Sequence, residues 1–493
     1  MSFFNALYTL GSGRCSQPIH TDSRVSIEIA SKSRCEQVTH WAKRIVTFPL
    51  TMAHGCYNVY LMAKCKEIHE PVARQIYQGN QINYMPSIIP KGISFHIVSS
   101  PRVIHALTPY FRNDPHGVFE GDVIEKAFLP LLKDLFVGEK VTKEDFLFTC
   151  SHQHVAALRQ PFIEFLGPEA LPRLKTQLND VIKEVLDWVS QKEVDRTIQI
   201  SSRKLTELFT VAVLSRLFLN HPGTFKDFEE IGSAATFALN FQLIRRWSKA
   251  TPSQITQYEK ALCILRSAIG ASKGSFPDGL RHSGLNEVQA KATLLLVYLA
   301  GSDTTSSALE YILWRLGQHR AHQNEIIESQ SSSEDVSPKL DQFISECLRL
   351  YPPADLFSRY ARQDLVIKVD NGKGRVWRYS ILKGEGIQCS PYLAGRNRRI
   401  FSSPDSFQPH RFVDIQDKHP SKVFSEGAHG CPGRWFARAE MGGFLSELLK
   451  RYTVASSPSK KELSMKGFMT LKVENVGLQL LKREKSAHKY DLM

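Results

Sequence analysis

Several protein classes are excluded by what the chain lacks. No two of its nine cysteines form a CxxC pair, and nine is odd, so neither a disulfide framework nor a zinc ribbon is implied. No internal repeat recurs along its 493 residues. No nucleic-acid motif accompanies the formal net charge of +14, which leaves an anionic membrane surface or an acidic protein partner as its explanation. A clean secretory signal is missing too: the apolar run in residues 1–15 is too short and is broken by Asn5. Residues 45–63 are uncharged and about long enough to span a bilayer. Pro49, His54, Gly55 and Asn58 interrupt them, and Lys43, Arg44, Lys64 and Lys66 flank both ends, so a buried or interfacial segment fits better. Residues 1–66 are expected to be an N-terminal leader associated with a membrane, and 67–493 one large domain.

What the chain does have is apolar mass: 42% hydrophobic and 10% aromatic residues, enough for a large globular core. Residues 93–99 are β-branched and aromatic and read as a strand. Helical periodicity covers about 145–166, 169–194, 203–219 and 225–247. Residues 251–284 carry polar stretches and the breakers Gly274, Pro277 and Gly279. The longest helix runs from Asn286 to His319 without a proline, and its apolar middle, LLLVYLA, predicts burial. Another resumes near Asp341 and stops before Pro352. Residues 365–390 alternate around an Asn371-Gly372 turn and predict a small antiparallel sheet. The fold class is therefore mainly α with a minor antiparallel β region, that is α+β.

Three constellations carry chemistry. The first is FSEGAHGCPGRWFA, residues 424–437. Gly427 and Gly430 allow close backbone approach and positive φ, and Pro432 suits the first turn of the helix that follows. Cys431 then lies at a helix N-terminus, where backbone N–H groups favour a thiolate that can be nucleophile, zinc ligand or haem ligand. The second, AGSDTT at 300–305, sets poor helix formers inside the buried helix. Either its hydroxyls bond back to carbonyls one turn earlier, or the helix opens beside a ligand. The third pairs Glu346 with Arg349 one turn apart, before Tyr351-Pro352-Pro353; alone, such a pair is a surface salt bridge.

Residues 424–433 fill F-x-x-G-x-(R/H)-x-C-x-G at Phe424, Gly427, His429, Cys431 and Gly433 and resemble the haem loop of the cytochrome P-450 superfamily. Histidine at the basic position resembles filamentous-fungal members. The stretch at 300–305 is similar to the superfamily's oxygen-activating (A/G)-G-x-(D/E)-T-(T/S), and Glu346 with Arg349 to its K-helix E-x-x-R. The resemblance runs from about Ile93 to near the C-terminus. It implies the cytochrome P-450 fold with its long central I-helix, and haem b as cofactor. It implies Cys431 as axial ligand, Phe424 beside the sulfur, Gly427 and Gly433 for clearance, and His429, Arg359 and Arg159 as haem-propionate partners. Position 155, where the family has an aromatic or His ahead of that arginine, is Val155, with His154 one residue earlier. Thr304 would hydrogen-bond dioxygen and Asp303 relay protons. Arg411 would complete a structural triad with Glu346 and Arg349. Phe119, Val297, Ala300, Leu356, Phe357 and Phe468 would line the substrate pocket.

The implied function is a haem-thiolate monooxygenase that oxidises a lipophilic small molecule with dioxygen, in secondary metabolism, at the cytosolic face of the endoplasmic reticulum membrane. Its electrons would come from an NADPH-dependent flavin reductase, docked on basic residues Arg396, Arg398, Arg399, Lys422, Arg434 and Arg438. The alternatives are a same-fold isomerase or dehydratase acting on a peroxide, and a non-enzymatic haem sensor. The paired Asp303 and Thr304 disfavour both.

Overall fold

The computed structural model describes residues 17–22, 25–29, 82–85, 95–112, 119–120, 125–150, 152–245, 249–330, 336–355, 357–370, 376–398, 400–413, 422–425, 430–457, 465–466, 470–473 and 476–483. Residues 45–63, Leu356, Gly427, His429 and Phe468 lie outside them. The chain forms two compact units, each taken here by itself.

The smaller unit comprises residues 1–123, 356–404 and 420–430. Its four-stranded sheet is antiparallel throughout, in the order Gln17–Asp22, Val25–Ile29, Leu365–Asp370, Val376–Ile381. Of the small sheet expected over 365–390, Leu365–Asp370 and Val376–Ile381 pair antiparallel here while Gly386–Cys389 joins the other sheet, and two strands from the stretch read as a leader extend the pair. Its five-stranded sheet runs Ile82–Met85, Phe95–Val98, Gly386–Cys389, Phe357–Ala361, Phe119–Glu120. Phe95–Val98 pairs parallel to Gly386–Cys389, so the β region is mixed rather than purely antiparallel. Strand partners so far apart in sequence are free to approach in either sense. Val98, Val103, Ile104, Leu107, Ile367, Ile381 and Ile387 form the core between these strands and the helix Pro101–Arg112.

The larger unit, residues 124–355, 405–419 and 431–493, is mostly helical. Its axis is the expected long helix, Glu287–Leu296 continuing through a π-helical turn Val297–Ser302 into Asp303–Gln318. Asn286 caps it: its side chain accepts the Gln289 N–H at 2.9 Å, and Gln289 returns a bond at 3.1 Å. Helix Ser202–Val213 lies against it and ends in a second π turn, Leu214–Phe218. The two π turns meet at Gly301, where a Cβ would stand 3.0 Å from Leu214 Cδ2. A small sheet of Tyr452–Ser456, Gly477–Lys482 and Thr197–Ser201 and a hairpin of Met465–Lys466 with Lys472–Val473 complete the unit.

Two expectations fail here. Residues 146–150 are not helical; the helix begins at His152, after a short 3₁₀ turn Lys143–Asp145 capped by Thr142. The stretch 251–284 holds two helices, Pro252–Ala271 and Ser275–His282. Its polar residues occupy outer faces, while Tyr258, Ala261, Leu262, Leu265, Ala268 and Ile269 are buried at helical spacing.

Candidate functional site

Cys431 stands just ahead of the helix Arg434–Arg451, with Gly433 as N-cap. Pro432 therefore precedes the cap instead of entering the first turn. The Cys431 residue is partly accessible, and its sulfur accepts a hydrogen bond from the Gly433 N–H. Burial pushes the thiol above its ordinary range, while that N–H and the charges of Arg159 and Arg434 pull the other way. Upstream, the Ser425 N–H closes a turn on the Lys422 carbonyl at 2.9 Å. Lys422 and Ser425 take φ of 59° and 55°, so the left-handed backbone falls on them and not on Gly430.

Arg159 reaches Cys431 electrostatically because its helix, His152–Leu166, runs alongside. Leu166, seven residues on and thus on the same face, comes within 3.8 Å of where a Gly433 Cβ would stand. Phe165 and Phe436 both pack on Phe218, at 5.3 and 5.0 Å between ring centroids, and fix this corner. Val155 is buried, and the exposed His154 pairs with Glu144 at 2.9 Å.

The long helix is buried from Ala292 to Leu313 except at four positions: Ala300, Gly301, Asp303 and Thr304. The back-bonded hydroxyl of that motif is observed, and so is a local opening of the helix. The helix opens into its π turn over Val297–Ser302, and Thr304 Oγ1 donates to the Ala300 carbonyl at 2.8 Å. Asp303 accepts the Thr470 hydroxyl at 2.6 Å and pairs with Lys472. Val297 is buried just before the notch.

Glu346 and Arg349 are fully buried and meet Arg411. Arg349 donates Nε and Nη2 to the Glu346 carboxylate at 2.7 and 2.8 Å; Arg411 Nε adds a bond at 3.1 Å and the Gln408 N–H one at 2.7 Å. Both guanidiniums also bond the Ser406 carbonyl, at 3.2 and 3.3 Å. In the smaller unit, Arg359 is buried on strand Phe357–Ala361, Phe357 is half-buried, and Phe424 is partly exposed. Phe119 forms part of a strand. Among the basic residues expected at a partner face, Arg434 is exposed and stacks on exposed Trp435 at 4.8 Å. Arg438 is no surface charge: its side chain is 12% exposed and bonds Asp341 and Ser345. Arg399 lies outside the described residues.

The sequence reading missed Thr470, Lys472, Arg203, Glu207 and Glu310. Glu310 carried a signal, a lone carboxylate in the apolar run SSALEYIL.

A sulfur at a helix N-terminus beside two guanidiniums, in a helical unit whose longest helix is notched by small and hydroxyl side chains, is an arrangement able to hold a cofactor through thiolate. The cytochrome P450 family model matches residues 189–480, more than half of the sequence. The chain belongs to the cytochrome P450 family. Cytochrome P450 4V2 of Homo sapiens is 30% identical over 194 residues, 36% of this chain and 35% of the relative. Human mitochondrial sterol 26-hydroxylase is 29% identical over 238 residues, 42% of this chain and 43% of the relative. The mitochondrial cholesterol side-chain cleavage enzyme of Hypanus americanus is 28% identical over 180 residues, 34% of this chain and 33% of the relative. The chain thus matches less than half the length of each of these relatives.

The family's cofactor is haem, ligated by a cysteine thiolate. The residues present fit it. A coordinated metal cation deprotonates a thiol outright, so iron suits a sulfur that burial alone keeps protonated. Cys431 would supply the ligand, and Arg159 a cation for a propionate.

Proposed function

We propose that the protein is a haem-thiolate monooxygenase, inserting one oxygen atom of dioxygen into a lipophilic small molecule with electrons from an NADPH-dependent flavin reductase. The notch in the long helix carries this reading. A helix buried for six turns is less buried only at Ala300, Gly301, Asp303 and Thr304, which offers an acid and an alcohol to whatever occupies that face. Haem supplies electron transfer and oxygen activation when bound. Thr304 contributes a hydroxyl already held in place by the Ala300 carbonyl. Asp303 contributes a carboxylate that can take and return a proton between Thr470 and Lys472. Val297 and Ala300 border the notch and would contact substrate; Phe119, Leu356, Phe357 and Phe468, like Phe424, Gly427, His429, Gly433 and Arg359 around the haem, keep the roles that the resemblance implies. Glu346, Arg349 and Arg411 would hold the segment that carries them in place.

Two of the relatives are named for sterol chemistry, so sterols belong in the substrate panel beside fatty acids and terpenoids. A place in secondary metabolism and the filamentous-fungal likeness rest on the sequence resemblance; the relatives named above are animal proteins. Among the described residues no helix is long and apolar enough to cross a membrane. The proposed seat at the cytosolic face of the endoplasmic reticulum rests on the family resemblance, with a soluble cytoplasmic protein as the alternative; the positive charge suits an anionic surface. The test is NADPH oxidation and product formation by the haem-loaded protein with a flavin reductase across that panel. A hydroxylated product that appears only with both NADPH and dioxygen supports the reading. Rearrangement of a hydroperoxide without NADPH, with no hydroxylated product under any condition, would make the protein an isomerase or dehydratase instead.

A further inference from the structure

Two π turns face each other beside the notch, Val297–Ser302 in the long helix and Leu214–Phe218 at the end of Ser202–Val213. Gly301 lies in the first and Leu214 opens the second. Leu214 fills the place of the side chain that Gly301 lacks: an added Cβ would stand 3.0, 3.1 and 3.6 Å from Leu214 Cδ2, Cδ1 and Cγ. Leu214 is 4% exposed, so it has little room to withdraw. The turn that carries it is tied down along its length. The Ser215 hydroxyl meets the Tyr298 hydroxyl at 3.5 Å, with both residues fully buried. The Ser215 carbonyl accepts the His221 N–H at 2.8 Å. Phe218, at the far end, packs on Phe165 and Phe436 at 5.3 and 5.0 Å between ring centroids.

A π turn holds one residue more than the α-helical ladder needs, and its hydrogen bonds do not say which one. Moving the extra residue one place along the helix keeps the number of bonds and rotates the residue it passes by about 100°. A slide past Ser302 would swing Asp303 and then Thr304 away from where they stand. Thr304 Oγ1 reaches the Ala300 carbonyl at 2.8 Å, and Ser302 Oγ the Tyr298 carbonyl at 2.5 Å, with the turn where it is. Packing has to choose that position. Gly301 is the one residue of Val297–Ser302 without a Cβ, and it is the one that Leu214 enters.

We propose that Leu214 locks the π turn of the long helix at Gly301 and is thereby a positioning residue for the Thr304 hydroxyl. The lock stands on packing alone; its part in oxygen chemistry rests on the monooxygenase reading above. Phe218, anchored on the helix that follows Cys431, serves as the backstop that keeps Leu214 from retreating.

A volume-conserving swap tests it. Gly301→Ala adds a methyl against Leu214, Leu214→Val withdraws one carbon, and the double variant does both and keeps the total volume. Helix propensity alone makes Gly301→Ala stabilising; the lock makes it loosen the turn. The first readout is amide hydrogen exchange over residues 298–306 of the haem-loaded protein. Each single variant should exchange several-fold faster there than the native protein, and the double variant should return close to the native rate. Leu214→Val, which only removes atoms, serves if Gly301→Ala folds poorly. The second readout is the C–O stretching band of carbon monoxide on the reduced haem, which senses polar groups on that face. Thr304→Ala should move the band, the single variants should move it too, and the double variant should restore it. Native exchange in both single variants, or a double variant no closer to native than they are, overturns the lock. A band that Thr304→Ala moves and the single variants do not overturns the positioning role of Leu214. Restored exchange in the double variant, with a band that Thr304→Ala leaves unmoved, overturns the part of Thr304 in the monooxygenase reading and leaves the lock standing.

Discussion

Two buried ionic clusters of the larger unit differ in how completely they are satisfied. At Glu346, one carboxylate receives four N–H donors from Arg349, Arg411 and Gln408, with both charged partners in the K-helix pair fully enclosed. At Glu310, two carboxylates share Arg203, one oxygen has no partner among the described residues, and part of the cluster meets solvent. Saturation fixes shape: removal of any member leaves a buried charge bare. Deficit fixes a proton instead, because a proton is the cheapest partner the excess carboxylate can acquire. The first cluster is therefore expected to matter to folding at every pH, the second to the pH dependence of stability.

The largest expected effect separates the clusters by stability. Glu346→Ala should destabilise the holoprotein by about 3–5 kcal/mol, since two guanidiniums lose their carboxylate, measured by thermal or urea unfolding. Asp303→Asn, which keeps the shape and leaves Lys472 partly solvated, should stay within about 1 kcal/mol of the native protein. Equal losses would erase the distinction.

Next is the pH dependence of stability. Folding lifts the Glu310 carboxyl from its ordinary 4.5 to about 7. A raised carboxyl favours the folded state fully below the unfolded value, and that advantage is lost as pH rises through the folded one. Native stability should then decline by up to about 3 kcal/mol between roughly pH 5 and pH 8 on this account, and the decline should be absent in Glu310→Gln. Parallel curves for the two proteins would contradict it.

Thr304→Ala should bind haem and keep its stability within about 1 kcal/mol, because it removes one side-chain bond to a helix carbonyl. Its product yield per NADPH should fall by at least about tenfold, with hydrogen peroxide in its place. Unchanged coupling would remove Thr304 from the chemistry. The smallest effect is expected at the exposed Arg434. Arg434→Glu should slow haem reduction a few-fold at low salt and hardly at all at high salt, if an acidic donor is steered there.

The satisfied cluster was legible in the sequence and the deficient one was not. Glu346 and Arg349 are one helical turn apart, so local spacing announces a pair, while the family resemblance marks it as structural and adds Arg411. Glu310 and Arg203 are 107 residues apart, and Asp303 and Thr470 are 167 apart, with no spacing rule to link them. The long helix was readable at both ends, from the Asn286 cap to His319, because caps and burial periodicity are local. Helix Pro252–Ala271 was passed over although Thr251, Pro252 and Gln254 mark its start as a capping box with proline in the first turn. The strands Gln17–Asp22 and Val25–Ile29 find their partner at Leu365–Asp370, a pairing that only the folded chain reveals. At the cysteine loop, glycines drew the expectation of left-handed backbone, while Lys422 and Ser425 adopt it.

The most direct test of the central claim is the carbon monoxide difference spectrum of the reduced, haem-loaded protein, native and Cys431→Ala. Sulfur ligation at Cys431 predicts the red-shifted Soret band of a thiolate-ligated haem in the native protein and its complete loss in the variant. A band that survives in Cys431→Ala would contradict the account.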